Sequence, residues 1–239
     1  MPTRRSFLRC SLAGSVWFGL RGVYAAATAD ASAAERLVER YMAAYNVPGL
    51  SVCYGRGKQI LFVRGYGLAE RKGREPVIPQ SLFRIASVSK PFTSAAVFTL
   101  VESDKLRITD RVFGLGGILN SFVLRRHTDW LQAITVHDLL THTSGGWSNK
   151  EHDPMFHEKQ RSPADFIQHT LDTYPVENAP GTRYAYSNFG YFVLGRVIEQ
   201  VSGTPYGDYV QRHVLAPLAI TDMQLAKKKA APNEVHYYG

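Results

Sequence analysis

Ile85-Ala86-Ser87-Val88-Ser89-Lys90-Pro91-Phe92-Thr93 places an S-x-x-K tetrad where an apolar run, Leu82-Phe83-Arg84-Ile85-Ala86, gives way to a helical pattern. Pro91 falls in the first turn, where its missing N–H costs nothing, and Ala95, Val97, Phe98 and Val101 continue the helix. Ser87 and Lys90, at i and i+3, share a helical face and are within reach of each other. The free N–H groups of a helix start and an adjacent ammonium both favour a developing alkoxide. A serine hydroxyl is inert at neutral pH until something takes its proton, so the pair fits an activated nucleophile. S-x-x-K by itself is weak, because a chain of 239 residues yields about one match by chance, and this chain has one. The position at a helix start gives it weight.

Working outward, residues 33–45 set Leu37, Val38, Tyr41, Met42 and Tyr45 on one helical stripe, stopped by Pro48-Gly49. Residues 50–54 and 59–66 read as strands joined by the Gly55-Arg56-Gly57-Lys58 turn, a hairpin, and a polar loop follows over 70–80. Downstream, 103–220 reads as short helices, among them 136–141, 163–171, 189–201 and 206–214. Ser162-Pro163-Ala164-Asp165 opens one with a cap and an N1 proline, and Ser202-Gly203 closes another. Two strands cannot bury both faces of a sheet, so this is a mixed α/β pattern with partner strands missing.

The N-terminus is an export pattern. Thr3-Arg4-Arg5-Ser6-Phe7-Leu8-Arg9 carries twin arginines, an apolar segment follows over 12–20, and small residues at possible cleavage points fill 25–34. It predicts a twin-arginine signal over 1–27 and a periplasmic or secreted protein with no stable membrane anchor once the signal is removed. Losing Arg4, Arg5, Arg9 and Arg21 takes the formal net charge from +8 to about +4, which calls for no nucleic acid. Of the two cysteines, Cys10 leaves with the signal and Cys53 alternates with apolar residues in a strand-like run, predicting a packed thiol.

Tyr186-Ser187-Asn188 is the one Y-x-N in the chain; it follows the Pro180-Gly181-Thr182 turn and precedes a helix. Two readings of Asn188 stand: the helix N-cap, or an amide that holds Lys90 and a substrate carbonyl. Tyr186 is either one more packed aromatic or, with its phenol acidified by a cation such as Lys90, a general base. His152, Asp153, His157 and Glu158 gather in a polar loop without an H-E-x-x-H pattern, so no metal is expected, and nothing calls for a cofactor. No G-x-S-x-G is present.

The tetrad block, Leu139-Leu140-Thr141-His142-Thr143-Ser144-Gly145-Gly146 and Pro180-Gly181-Thr182-Arg183-Tyr184-Ala185-Tyr186-Ser187-Asn188 resemble, in order, three blocks of the class C β-lactamase and penicillin-binding protein superfamily. Pro217-Leu218-Ala219-Ile220-Thr221-Asp222-Met223 resembles a fourth, with Ala219 where the family usually has Gly. The resemblance implies that Ser87 is the acylated nucleophile, Lys90 its activating partner, Tyr186 the general base and Asn188 a substrate-binding amide. It implies a β-lactamase/transpeptidase-like fold, an antiparallel sheet flanked by helices plus a helical lobe. The family's third motif, K-T-G or H-x-G on a later strand, has no match after Tyr186; His142-Thr143-Ser144-Gly145 lies upstream, in a different block. That strand normally supplies a second oxyanion donor, whose loss costs about 10²–10³ in rate.

The expectation is therefore a signal over 1–27 and a partial serine hydrolase domain over 28–239 whose C-terminal strands are missing from this chain. Residues 28–85 hold the N-terminal helix and hairpin, and 86–239 a mainly helical lobe. Two functions remain open: an exported serine hydrolase acting on small-molecule, peptide or ester substrates (β-lactamase, esterase or D-amino-acid peptidase-like), or a catalytically incompetent remnant that binds such ligands weakly.

Overall fold

The computed structural model describes residues 29–57, 59–150, 153–157, 162–227 and 229–238. The expected signal, with Cys10, lies outside the described residues, as do His152 and Glu158. The chain divides into two compact units, one made of residues up to Ser81 with the segment from Asn233, the other Leu82–Pro232.

In the first unit, α1 (Ala29–Tyr45) precedes β1 (Gly49–Arg56) and β2 (Gln59–Gly67), which pair antiparallel from Gly49↔Gly67 to Arg56↔Gln59. The ladder runs past Gly55, through a register shift between Tyr54 and Gly55, so the turn is tighter than the one expected over 55–58. The α1 stripe splits. Val38 and Met42 are half-buried, while Leu37, Tyr41 and Tyr45 remain 64%, 50% and 71% exposed. Gly67 makes room for the Met42 methyl: at φ 71°, a Cβ there would lie 2.9 Å from Met42 Cε. Cys53 is exposed, contrary to expectation, because β1 is half-buried over its first four residues and exposed over its last four. Among the described residues no third strand joins this sheet. The terminal segment pairs back onto the loop after β2, His236 N–H donating to Ala69 O (2.9 Å) and Arg71 N–H to Tyr238 Oη (2.6 Å).

The second unit is helical. A 3₁₀ turn (Ala86–Val88) leads into α2 (Ser89–Glu102); α3 (Thr128–Ala133), α4 (Val136–Leu140), α5 (Pro154–His157), α6 (Pro163–Thr173), α7 (Asn188–Ser202) and α8 (Tyr206–Val210) follow. Thr135 and Asp138 form a reciprocal capping box on α4. Ser162 caps α6 with Pro163 in its first turn, and Gly203, at φ 65°, ends α7. The helix expected over 206–214 breaks into α8, a π turn (Gln211–Leu215) and a 3₁₀ turn (Ala216–Leu218), stopped by Ala219 in the left-handed region.

The core of this unit sits between α2 and α7. Val97 and Leu100 of α2 and Phe189, Leu194 and Ile198 of α7 are fully buried with Phe113, Leu131, Ile134, Leu139 and Ile167. Burying each such side chain is worth about 1.5–3 kcal/mol, so this packing dominates the placement of both helices. Hydroxyl pairs fix the register: Ser94 Oγ with Tyr191 Oη (3.1 Å) joins α2 to α7, and Thr93 Oγ1 with Tyr206 Oη (2.8 Å) and Thr99 Oγ1 with Tyr209 Oη (2.9 Å) join α2 to α8. Tyr191 Oη also reaches Leu140 O (3.0 Å), tying α4 to α7. The N-terminal ends of α2 and α7 are thereby held side by side.

Candidate active site

The four residues singled out in the sequence converge at those two helix ends. Ser87 lies in the 3₁₀ turn before α2 and is exposed; Lys90 is in the first turn of α2 and half-buried. The preceding residue, Ala86, holds φ 44°, a conformation an L-residue adopts at a cost and one that gathers at functional sites. Lys90 Nζ donates to Ser87 Oγ (3.0 Å) and to Asn188 Oδ1 (2.8 Å), and stands 4.6 Å from the centre of the Tyr186 ring.

The N-cap reading of Asn188 fails. Ser187 is the cap, its Oγ accepting from Gly190 N–H (2.9 Å), and the Asn188 amide is left to bridge. Its Oδ1 faces Lys90 and its Nδ2 donates to Asp153 Oδ2 (2.7 Å). Burial raises the Tyr186 phenol pKa, but hydrogen bonding with Lys90 and with Ser87, and the Lys90 charge, outweigh it; the net direction is down.

Two residues of this neighbourhood carried no catalytic reading in the sequence. His142, at φ 59° and buried, stacks on Tyr186 with ring centres 4.4 Å apart, and its Nδ1 accepts from the Ser187 N–H (3.0 Å). That bond requires a lone pair on Nδ1, so the neutral ring carries its proton on Nε2. Burial, then the Lys90 charge, hold its pKa below the usual histidine range. The second residue, Asp153, is 1% exposed.

The backbone explains why the second and third sequence blocks meet. Ala185 N–H donates to His142 O (2.7 Å), Gly181 N–H to Thr143 O (2.8 Å), and Asn149 N–H to Tyr186 O (2.8 Å). Gly145 takes φ 89°, and a Cβ there would lie 2.0 Å from Asn178 O, so the crossing is as close as backbone allows. The 142–149 segment is thus a template on which Tyr186 is laid. The polar loop after it contributes Asp153 as a hydrogen-bond acceptor, and among the described residues no group of three metal-ligating side chains forms.

A model of the Beta-lactamase family matches residues 34–239. The chain belongs to the beta-lactamase family. Among relatives of this family it is 28% identical over 198 residues to Penicillin-binding protein 4* of Bacillus subtilis, covering 79% of this chain and 40% of that protein. It is 32% identical over 215 residues to esterase EstB of Burkholderia gladioli, covering 86% of this chain and 53% of that one. Among solved structures, the octameric penicillin-binding protein homologue from Pyrococcus abyssi superposes with a TM-score of 0.65 at 29% identity, over 80% of this chain and 43% of the other. The fold is β-lactamase/transpeptidase-like, and the chain spans about half or less of the length of these relatives.

Proposed function

We propose that this chain carries the acylating machinery of a serine hydrolase of the beta-lactamase family, acting on amide or ester carbonyls. The observation that supports it most is the Lys90 ammonium, which donates to Ser87 Oγ at 3.0 Å and to Asn188 Oδ1 at 2.8 Å beside an acidified Tyr186. An ammonium has no lone pair to accept a proton, so Lys90 acts through its charge, and the proton acceptor is Tyr186, whose phenol the Lys90 charge acidifies. Ser87 Oγ attacks the carbonyl carbon while its proton passes to Tyr186. Collapse of the tetrahedral adduct breaks the bond to the leaving nitrogen or oxygen, which takes that proton and leaves an ester on Ser87. The likeness to an esterase and to a penicillin-binding protein supports keeping both carbonyl classes as substrates.

Intact-mass measurement after incubation with a fluorophosphonate or a penicillin tests this. One covalent adduct is expected on the unmodified chain and none on Ser87→Ala. An adduct that persists in Ser87→Ala removes the assignment.

A further inference from the structure

Among the described residues, Asp153 is the carboxylate in direct hydrogen-bond contact with the Lys90–Asn188 pair. It is 1% exposed, and its two oxygens are divided: Oδ1 accepts from Met155 N–H (2.9 Å) at the start of α5, and Oδ2 accepts from Asn188 Nδ2 (2.7 Å). Capping a four-residue helix needs the first bond and does not need the second. The second bond has a consequence for the chemistry. A primary amide can present either its oxygen or its NH₂ in nearly the same shape, and the lysine needs the oxygen. An acceptor-only group behind Asn188 removes the choice: with Nδ2 held at Asp153, Oδ1 faces Lys90 at 2.8 Å, and Lys90 reaches Ser87 Oγ at 3.0 Å.

We propose that Asp153 is a positioning residue of this site, whose buried carboxylate fixes the orientation of the Asn188 amide and through it aims the Lys90 ammonium at Ser87. The inference rests on the acylation chemistry proposed above. Its distinctive consequence concerns Asp153→Asn, which preserves shape and volume but turns one acceptor into a donor. If the new NH₂ faces Met155, two N–H donors meet. If it faces Asn188, that amide must turn its own NH₂ to the Lys90 ammonium. Neither arrangement satisfies every group. Exchanging the two residues, Asp153→Asn with Asn188→Asp, restores a complete pattern. The carboxamide now at position 153 donates to the carboxylate now at position 188, and that carboxylate accepts from Lys90.

The full chain is titrated with a fluorophosphonate, and the acylation rate constant is separated from the binding constant, with thermal stability followed in parallel. Asp153→Asn is expected to slow acylation about 10- to 100-fold, the scale of one lost charge-assisted bond, with binding changed less than about threefold. The exchanged double variant is expected to acylate faster than Asn188→Asp alone. A rate in Asp153→Asn within about twofold of the unmodified chain, or a double variant no faster than Asn188→Asp, overturns the proposal. A further arm needs no variant of Asp153 to fold. The Asn188 side-chain amide, assigned in nitrogen-15 spectra by its loss in Asn188→Ala, is expected to exchange with water about tenfold slower than surface asparagine amides. Exchange at the surface rate overturns the orientation role. If the unmodified chain forms no adduct, it is the functional reading that falls, and amide exchange alone decides Asp153.

Discussion

His142→Phe separates what the imidazole does by shape from what it does by its lone pair. Phenylalanine keeps a flat ring against Tyr186, where the centres are 4.4 Å apart, but removes the acceptor for the Ser187 N–H. Ser187 is 1% exposed, so water cannot replace that bond, and an unsatisfied buried N–H costs about 1–3 kcal/mol. The penalty is expected to depend on pH. Burial, and then the Lys90 charge, depress the native pKa of His142 below the ordinary histidine value of 6.5. Below about pH 6.5 the unfolded chain takes up a proton that the folded chain refuses, so acid erodes the contribution of His142. That contribution is complete above about pH 6.5 and is lost as pH falls toward the depressed native pKa, at no more than about 1.36 kcal/mol per pH unit. The phenylalanine variant has no such proton to refuse. Urea unfolding of both proteins, at steps from about pH 7.5 to about pH 5, should show a gap of about 1–3 kcal/mol at the top that narrows toward acid. A gap that stays constant or widens refutes the neutral, accepting imidazole.

Lys90→Ala and Tyr186→Phe are each expected to slow acylation of Ser87 by about 10²–10⁴ in stopped-flow labelling, and their double variant to fall well short of the product. Independent multiplication would separate the two roles. Ala219 occupies φ 58°, where a Cβ costs about 1–2 kcal/mol, partly offset by the looser unfolded chain of a glycine; Ala219→Gly should therefore raise Tm by about 1–3 °C. A lower Tm would mean that the Ala219 methyl makes contacts worth more than the strain. Arg4→Lys with Arg5→Lys is expected to hold a fused reporter in the cytoplasm, and unchanged periplasmic delivery would reject the twin-arginine route.

Local signals were the legible ones. Ser162-Pro163, Ser202-Gly203 and the alternating strands needed nothing beyond their neighbours in sequence, and the structure has caps and a hairpin there. Ser87 with Lys90, and Tyr186 with Asn188, were visible as motifs because each pair is close in sequence. What stayed hidden depends on segments that meet only after folding. His142 acquires its place when residues 142–149 are bonded to 177–187, and Asp153 when its side chain bonds Asn188 at the start of α7. Cys53 misled because alternation marks a strand but does not say whether anything covers its face. The sequence reading offered Asn188 as the cap of α7; serine caps comparably, and the geometry gives the role to Ser187, one residue earlier.

That choice has a consequence for how this site can change over time. Had Asn188 been the cap, any replacement there would have frayed α7 along with altering the amide beside Lys90. With Ser187 closing the helix through Gly190, the two demands fall on neighbouring but separate residues. Position 188 can drift in its chemistry while the scaffold beneath it stays intact, and position 187 is held to side chains that can cap a helix.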